Sequence, residues 1–481
     1  MSCKASPLLL LKVAAYLVVL ARERKKMAIV ASYFAGESYG LLGPQLAATV
    51  IEENTPYDCI VIAVTREDGK SALRQALAAF FGSQVPIVGF SGLGGRQDLF
   101  RLAGELKDKG AITILAGPQS DVDYLGEVDW QVHDHRFKGF SNEFSFALHG
   151  PAEQIINFLD NTDTNAAEQI PGLIKYADDG SLLRNPEKSW KHRFLRKVKW
   201  DNVFRVEKAG LKPLKVTTGQ VLQQIGCPYA AQGRWIEIDY PVSLSQGHDR
   251  KVRLFSKGCS FCDVAVDKGF CGIMDMETVL AQIQCLPHGD DNRKIPFELI
   301  NENACAGLRD LLSETREKGV MLTQVNLTVR ADWFIKSENR LRQALKLAKS
   351  MGTTIHLGSM GFESFDNSIL RNLNKGVNVD TNLQAIQLIR HLKEDYPEHW
   401  TYSRADGSIH GFIHPTPWDT EQTWASIQTT FREHALPLDI LPDHSIPLII
   451  HHASALGDWI RQIEKTEGRT FKRLDTIIEW W

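Results

Sequence analysis

The sequence predicts a two-part α/β protein: a doubly wound, Rossmann-like parallel sheet over residues 27–160, then a partial (β/α)6 barrel over residues 221–430. Three observations predict it. Short apolar runs alternate with helix-period segments in both stretches, the pattern of buried parallel strands joined by crossover helices. Glycine-rich turns follow the strands of the first stretch, where open α/β sheets bind ligands. In the second stretch a cysteine loop stands between a strand-like and a helix-like run. A chain of 481 residues is long enough for two or three cores.

Hydrophobic residues make up 43% and charged residues 23%, ordinary globular values. The net charge of -3 gives no electrostatic basis for nucleic-acid binding. Eight cysteines without an evenly spaced framework point to a reducing compartment, so a cytoplasmic location is expected. Residues 1–26 stand apart: 7–21 are almost wholly apolar apart from Lys12, and a basic run follows at 22–26. The apolar run is shorter than the ~20 residues of a spanning helix, and RERKK is not the small-residue end of a secretory signal. This leader reads as translated upstream of a natural start at Met27, with an amphipathic membrane-surface anchor as the alternative. Membrane contact is expected only in the second case.

Residues 27–34, 59–64, 86–91 and 111–116 read as the buried strands of the first sheet, with helices at 43–53, 71–81 and 98–109. Ser91, Gly92 and Gly94 lie in SGLGG, Gly117 and Pro118 in AGPQS, and Gly150 in HGPAEQ, all in turns that follow strands. Glycine lets backbone amides approach a large flat ligand, although glycine turns also end strands that bind nothing. Residues 161–220 are polar, carry the turns ADDG and RNPEK, and read as a connector.

The run 251–256 reads as a strand, and the loop after it at 257–272, KGCSFCDVAVDKGFCG, holds three of the eight cysteines. Cys259 and Cys262 have the spacing of a ligand pair for zinc or an iron–sulfur cluster, because one tight loop can aim both thiolates at a metal. The same spacing also suits two buried thiols with no metal. Beyond it, 275–286, 305–318, 337–350 and 380–393 read as helices and 295–301, 320–330, 354–359 and 409–414 as strands, with a further helix from 421. Successive β/α units of this length imply a partial parallel barrel. Asn303, Asp366 and Thr420 are placed to cap helices, and Glu363 suits a cap or a ligand contact equally. Arg330 ends its strand either aimed at a carboxylate or in a surface pair with Asp332. Residues 431–481 read as an extension that covers the barrel mouth or its open side, with Trp480 and Trp481 packing.

The strand, the C-x-aromatic-C loop with Phe261 between its thiols, and the helix after it resemble the opening of a radical SAM barrel, whose members use S-adenosylmethionine. Domain order extends the resemblance, over residues 27–472, to the cobalamin-binding class of that family. AGPQS stands where that class often has GGP, and HGPAE where it often has GEGE. PGLIKYADDG resembles its linking hairpin, GFESFDNSILRNLNKG its G-x-E-S segment with an N-K-G turn, and HPTPWDTEQTW its last strand end.

The resemblance implies a 4Fe-4S cluster on Cys259, Cys262 and a third thiolate. The family motif is C-x3-C-x-aromatic-C, and its first position falls on Phe255. The third thiolate is therefore expected from Cys271, in the same loop, with Cys227 of GCPYA as the alternative. S-adenosylmethionine contacts are implied for Glu302, Arg330, Glu363 and Ser364, and cobalamin contacts for Ser91, Gly92, Gly94, Gly117, Pro118 and Gly150. Where many cobalamin domains carry D-x-H-x-x-G this chain reads AGESYGLLG, so no histidine is expected below the cobalt.

The chemistry implied is one-electron cleavage of S-adenosylmethionine, hydrogen abstraction by a 5'-deoxyadenosyl radical, and methylation of an unactivated carbon in a small-molecule or peptide substrate. An electron donor such as a flavodoxin or ferredoxin is implied too. Rearrangement, cyclisation or oxidation without methyl transfer is one alternative, and a binding protein with a degenerate cluster site another.

Overall fold

A computed structural model describes residues 24–93, 96–117, 143–161, 169–177, 179–186, 191–208, 210–245, 250–262, 270–451, 454–474 and 477–480. Two largely parallel sheets organise a mixed α/β architecture. The first is built on β1 (Lys25–Ser32), β2 (Tyr57–Val64), β3 (Ile87–Ser91), β4 (Ile112–Ala116) and β5 (Phe146–Leu148). Helices α1 (Leu42–Asn54), α2 (Lys70–Phe81), α3 (Gln97–Asp108) and α4 (Gln154–Asp160) lie among them. These strands are apolar at successive positions because helices cover both faces. Their spatial order, β5-β4-β3-β1-β2, reverses direction between β3 and β1. That switch point is where such sheets open a ligand crevice beyond their carboxyl ends.

Two boundaries differ from the sequence reading. Strand β1 starts at Lys25, and Arg24 donates to the carbonyls of Glu52 (3.0 Å), Thr55 (3.2 Å) and Tyr57 (2.8 Å). The last basic residues of the leader thus belong to the sheet, since their long side chains satisfy the end of α1; residues 1–23 lie outside the described residues. The connector is also sheet. Hairpin β6 (Leu173–Tyr176) and β7 (Leu182–Arg184) extends one edge beyond β5, and β8 (Val203–Glu207) with β9 (Gly210–Pro213) extends the other beyond β2, to make nine strands. The hairpin β6–β7 carries PGLIKYADDG, where a hairpin is expected, whereas the short, polar edge strands β8 and β9 lack the apolar runs that mark central ones, which hid them.

The second sheet has six strands, again parallel: β10 (Gly219–Leu222), β15 (Phe297–Ile300), β16 (Gln324–Val329) and β17 (Thr354–Glu363), with β18 (Trp400–Thr401) and β19 (Gly411–Phe412) both on β17. Between β10 and β15 come β11 (Gln224–Gly226), β12 (Gly233–Asp239), β13 (Lys251–Lys257), β14 (Phe270–Ile273) and helix α5 (Met276–Cys285). The remaining helices are α6 (Leu308–Glu317), α7 (Ala331–Lys336), α8 (Glu338–Met351), α9 (Asn367–Asn372), α10 (Val379–Asp395), α11 (Glu421–Glu433) and α12 (Ala455–Glu467).

Here the sequence reading is corrected. The run before the cysteines, β13, is not a barrel strand: it pairs antiparallel with β12 in a separate hairpin, and the barrel begins at β10. Alternation along β13, with Val252, Leu254 and Ser256 buried and its odd-numbered residues exposed, is the mark of a strand covered on one face only. One contiguous core runs from β1, β2 and α1 through Trp200 and Leu286 to β15, β16 and β17, so the two sheets share their packing. No helix among the described residues is long and apolar enough to cross a membrane.

Candidate functional site

The carboxyl ends of the barrel strands carry the chemistry. Beyond β10 and the short β11, Gly226 takes a positive φ of 76° and turns the chain into Cys227, which opens the turn Pro228–Ala230. Beyond β15 comes Glu302, and beyond β16 comes Arg330, the residue just before α7. Beyond β17, Glu363 adopts a left-handed φ of 62°. Such a backbone is disfavoured for a side-chain-bearing residue and persists only where its surroundings hold it. The Glu363 carboxylate accepts from Lys375 Nζ at 3.0 Å, and a methyl group added to Gly361 would collide with both. The glycine of G-x-E-S therefore makes room for a buried ion pair.

The hairpin brings the cysteine pair to these ends. Asn374 Nδ2 donates to Gly258 O at 2.6 Å, Ser260 Oγ to Asn372 O at 2.8 Å and Ser260 N to Leu373 O at 2.9 Å. The loop is thus seated on the last turn of α9 and the N-K-G turn. Leu456 N, at the start of α12, donates to Ser260 O at 2.9 Å, so the C-terminal extension backs the same loop.

Arg330 ties the parts together. It is 4% exposed and donates to Asp332 Oδ1 (3.2 Å), Lys375 O (2.6 Å) and Cys259 Sγ (3.7 Å). Its guanidinium carbon lies 4.1 Å from the ring centre of Tyr229, two residues after Cys227. The Tyr229 hydroxyl donates to Asn374 O at 3.0 Å and rests where a side chain on Gly376 would be. Arg330 does pair with Asp332, but in the interior rather than at the surface.

Burial pushes the Cys227 thiol up, helped by Glu302 and Cys259 and opposed by Arg330. Burial likewise raises the Glu302 carboxyl against the pull of Lys375 and Arg330. For Lys375 burial works downward, yet Glu363 and the Cys259 sulfur outweigh it and hold the ammonium above its usual range. Among the described residues, no three His, Cys, Asp or Glu side chains converge as for a single bound metal ion. Cys227, Cys259 and Cys262 are all half-buried.

Cys271 falls on β14, where Gly226 pairs with Phe270 and Ile225 with Gly272, leaving Cys271 as the extra residue of a bulge beside the Cys227 segment. Its side chain lies outside the described residues. Phe255 stands on the outward face of β13, 46% exposed, on the side away from buried Leu254 and Ser256. Ser364 is buried, and its hydroxyl accepts from Asp366 N at 3.2 Å. Asp366 and Thr420 cap their helices with side-chain oxygens, whereas Asn303 makes no cap bond.

In the first sheet, Ser91, Gly92, Gly117 and Gly150 follow or end β3, β4 and β5 on one edge; Gly94 and Pro118 lie outside the described residues. Gly117 has a φ of 90° and a methyl there would press on Ser91 Oγ at 2.6 Å, while one on Gly92 would meet nothing within 4 Å. Sequence reasoning missed Arg96. Almost fully buried, it donates to Ser32 Oγ (3.1 Å), Val64 O (2.8 Å) and Asp98 Oδ2 (2.9 Å), and fixes the ends of β1 and β2 at the switch point. A lone arginine after a glycine run carries no periodic signal. Also missed was the setting of His414, which stacks on Trp424 at 3.8 Å and lies 3.2 Å from Asp419.

The loop AGESYGLLG after β1 leans on the barrel: Tyr39 bridges to Thr218, and Gly40 N donates to Thr218 O at 2.8 Å.

A doubly wound sheet followed by a partial parallel barrel, with cysteines at the barrel's carboxyl end, has solved counterparts among cobalamin-dependent S-adenosylmethionine radical enzymes. The chain resembles OxsB: bound to aqua-cobalamin and S-adenosylmethionine, that enzyme superposes with a TM-score of 0.56 at 12% identity over 95% of this chain and 64% of its own. The selenomethionine-labelled apo form of OxsB gives 0.55 at 10% identity with the same coverage. This chain thus spans less than two thirds of the length of OxsB. No family model and no curated protein matches the sequence.

Proposed function

We propose that this chain is a radical SAM enzyme that holds a 4Fe-4S cluster and cobalamin and methylates an unactivated carbon of a small-molecule or peptide substrate. The observation that carries this reading is the meeting of Cys227, Cys259, Glu302 and Arg330 at the carboxyl ends of a parallel barrel. Cys259 and Cys262 supply two thiolates, and Cys227 rather than Cys271 is the third. Cys227 follows the true first strand, where the family's cysteine loop begins. Counted from it, the spacing C-x3-C-x-aromatic-C falls on Ala231 and Arg234, so this segment keeps one thiol and the hairpin delivers the other two. Thiolates that each bind a different iron of a cube need not converge on one centre, and among the described residues no three ligands do.

When bound, the cluster supplies one electron to S-adenosylmethionine and cobalamin supplies a methyl group. The chain's own residues position and enclose. Arg330 and Lys375 set positive charge beside Cys259, and Glu302 and Glu363 offer carboxylates to an amino group. Ser91, Gly92, Gly117 and Gly150 leave a side-chain-poor edge on which a flat corrin can lie. With AGESYGLLG occupied by the barrel, nothing in that loop is a histidine that could reach a cobalt.

Reconstitution tests the reading. Cys259→Ala with Cys262→Ala is expected to abolish the visible charge-transfer absorption, and Cys227→Ala to lower iron content far more than Cys271→Ala. Unchanged iron in the double variant overturns the cluster. Methylated product, as against 5'-deoxyadenosine alone, separates methyl transfer from rearrangement or oxidation.

A further inference from the structure

We propose that the outer face of the β12–β13 hairpin, with the basic cleft beside it, is the dock for an acidic one-electron carrier protein. The inference rests on the cluster reading above. Backbone register sets Gly233 opposite Lys257, Trp235 opposite Phe255, Glu237 opposite Arg253 and Asp239 opposite Lys251, so these residues share one face. On it Trp235 is 63% exposed, its ring 5.9 Å from that of Phe255 in an edge-to-face pair. The Arg253 guanidinium carbon lies 5.2 Å from the Trp235 ring centre. An exposed tryptophan, phenylalanine and arginine in mutual contact add little to folding, since water still reaches them. They are the residue types that anchor protein interfaces.

Beside this face lies a cleft of about 490 Å³ whose walls include Tyr240, Arg250, Lys251, Arg253 and Gln462, with no carboxylate in its lining. Of the adjacent acids, Asp239 is engaged by Lys251 at 4.0 Å and Arg371 at 3.4 Å, and Glu467 by Arg250 at 2.5 Å. Lys257 adds a further cation and Glu237, opposite Arg253, a further acid, so Arg250, Lys251, Arg253, Lys257 and Arg371 stand against three carboxylates and the patch is net basic on a chain whose net charge is -3. It therefore suits an acidic partner, and electrostatic steering would favour its approach.

Position supplies the second half of the case. Strand β13 ends at Lys257, two residues before Cys259, and Ser260 beside it is seated on α9 and on the start of α12. Electron transfer weakens steeply with distance, so a carrier is most effective where it approaches the loop directly. In the step, the carrier gives up one electron and the cluster takes it up; no bond forms or breaks and no proton moves.

The test uses the full chain, reconstituted with iron and sulfide, and a flavodoxin as the carrier. Affinity is measured by titration at low and high salt, and cluster reduction is followed with reduced flavodoxin and, separately, with dithionite. The variant Trp235→Ser/Arg253→Ser is expected to bind flavodoxin at least about tenfold more weakly and with a smaller salt dependence than the parent. Iron content and bleaching by dithionite should match the parent. Unchanged flavodoxin affinity in a fully loaded variant overturns the dock alone. A parent that loads no iron overturns the cluster reading and the dock with it. If the parent self-associates and the variant does not, the face belongs to a second copy of the chain and the proposal falls.

Discussion

Arg330 Nη1 stands 3.7 Å from Cys259 Sγ, while Nη2 of the same guanidinium donates to Lys375 O at 2.6 Å. One side chain thus joins the end of the third barrel strand, the cysteine loop and the N-K-G turn. A planar fork with several donors can do this; a single ammonium cannot.

Replacing it tests that difference. Arg330→Lys and Arg330→Met are both expected to destabilise the protein by about 3 kcal/mol, because each leaves the Lys375 carbonyl without its buried donor and Asp332 with only the more distant Lys336. Urea denaturation measures it, and a lysine variant as stable as the parent would show that charge alone suffices.

Lys375 and Glu363 form the buried pair behind Arg330, Lys375 being 6% exposed. Lys375→Met and Glu363→Gln should each cost about 3–5 kcal/mol, since each leaves a buried group without its partner. The double variant should cost less than the two together by at least ~1 kcal/mol. Strict additivity in a double-mutant cycle would count against the pair as a unit.

His410 gives the fold an acid-sensitive point. Its Nε2 lies 2.8 Å from Tyr402 O and its Nδ1 accepts from Met360 N at 3.1 Å, so the ring is held neutral. Burial lowers its pKa from 6.5 to about 4, against the contrary pull of the Tyr402 carbonyl. Between those values the unfolded chain carries the extra proton and the native one does not. The stabilisation is complete above pH 6.5 and is lost as pH falls toward about 4, roughly 3 kcal/mol in all at ~1.4 kcal/mol per unit. His410→Gln, which keeps a donor and an acceptor, should lose less stability than the parent between neutral pH and the low end of that window in urea melts. Equal losses would refute the assignment.

Glu302 has the opposite sign. Burial raises its folded pKa above the unfolded value, so the native state binds the proton more tightly and ionisation weakens the fold. Glu302→Gln should raise Tm at pH 8, and the gain should shrink as pH falls through the raised native value toward the ordinary carboxylate value of 4.5. A gain independent of pH would place its origin elsewhere.

Much of this was legible in the sequence, and the reasons are physical. The central strands of the first sheet announce themselves because helices cover both faces and every position is apolar, as in IVIAV of β2. Glu302, Arg330 and Glu363 could be placed at strand ends because the apolar runs stop there. The hairpin misled: KVRLFSK looks like a strand that leads to a loop and helix, and only its alternate burial tells that it pairs antiparallel outside the barrel. The true first strand, GQVL, is four residues long and lies in a polar stretch. Arg96 and the Lys375–Glu363 pair were out of reach, because a buried charge is recognised by its partner and the partner lies far along the chain or hidden in a turn.

The seat of the cysteine loop has a temporal side as well. Ser260 and its acceptor on Asn372 are 112 residues apart, so at about 5–20 residues per second of synthesis the thiols of Cys259 and Cys262 emerge roughly 6–20 s before their platform exists. During that interval they hang on a hairpin with no α9 beneath it, open to oxidation or to stray metal. Only after the N-K-G turn has closed do the two thiols have the backing they show in the folded chain.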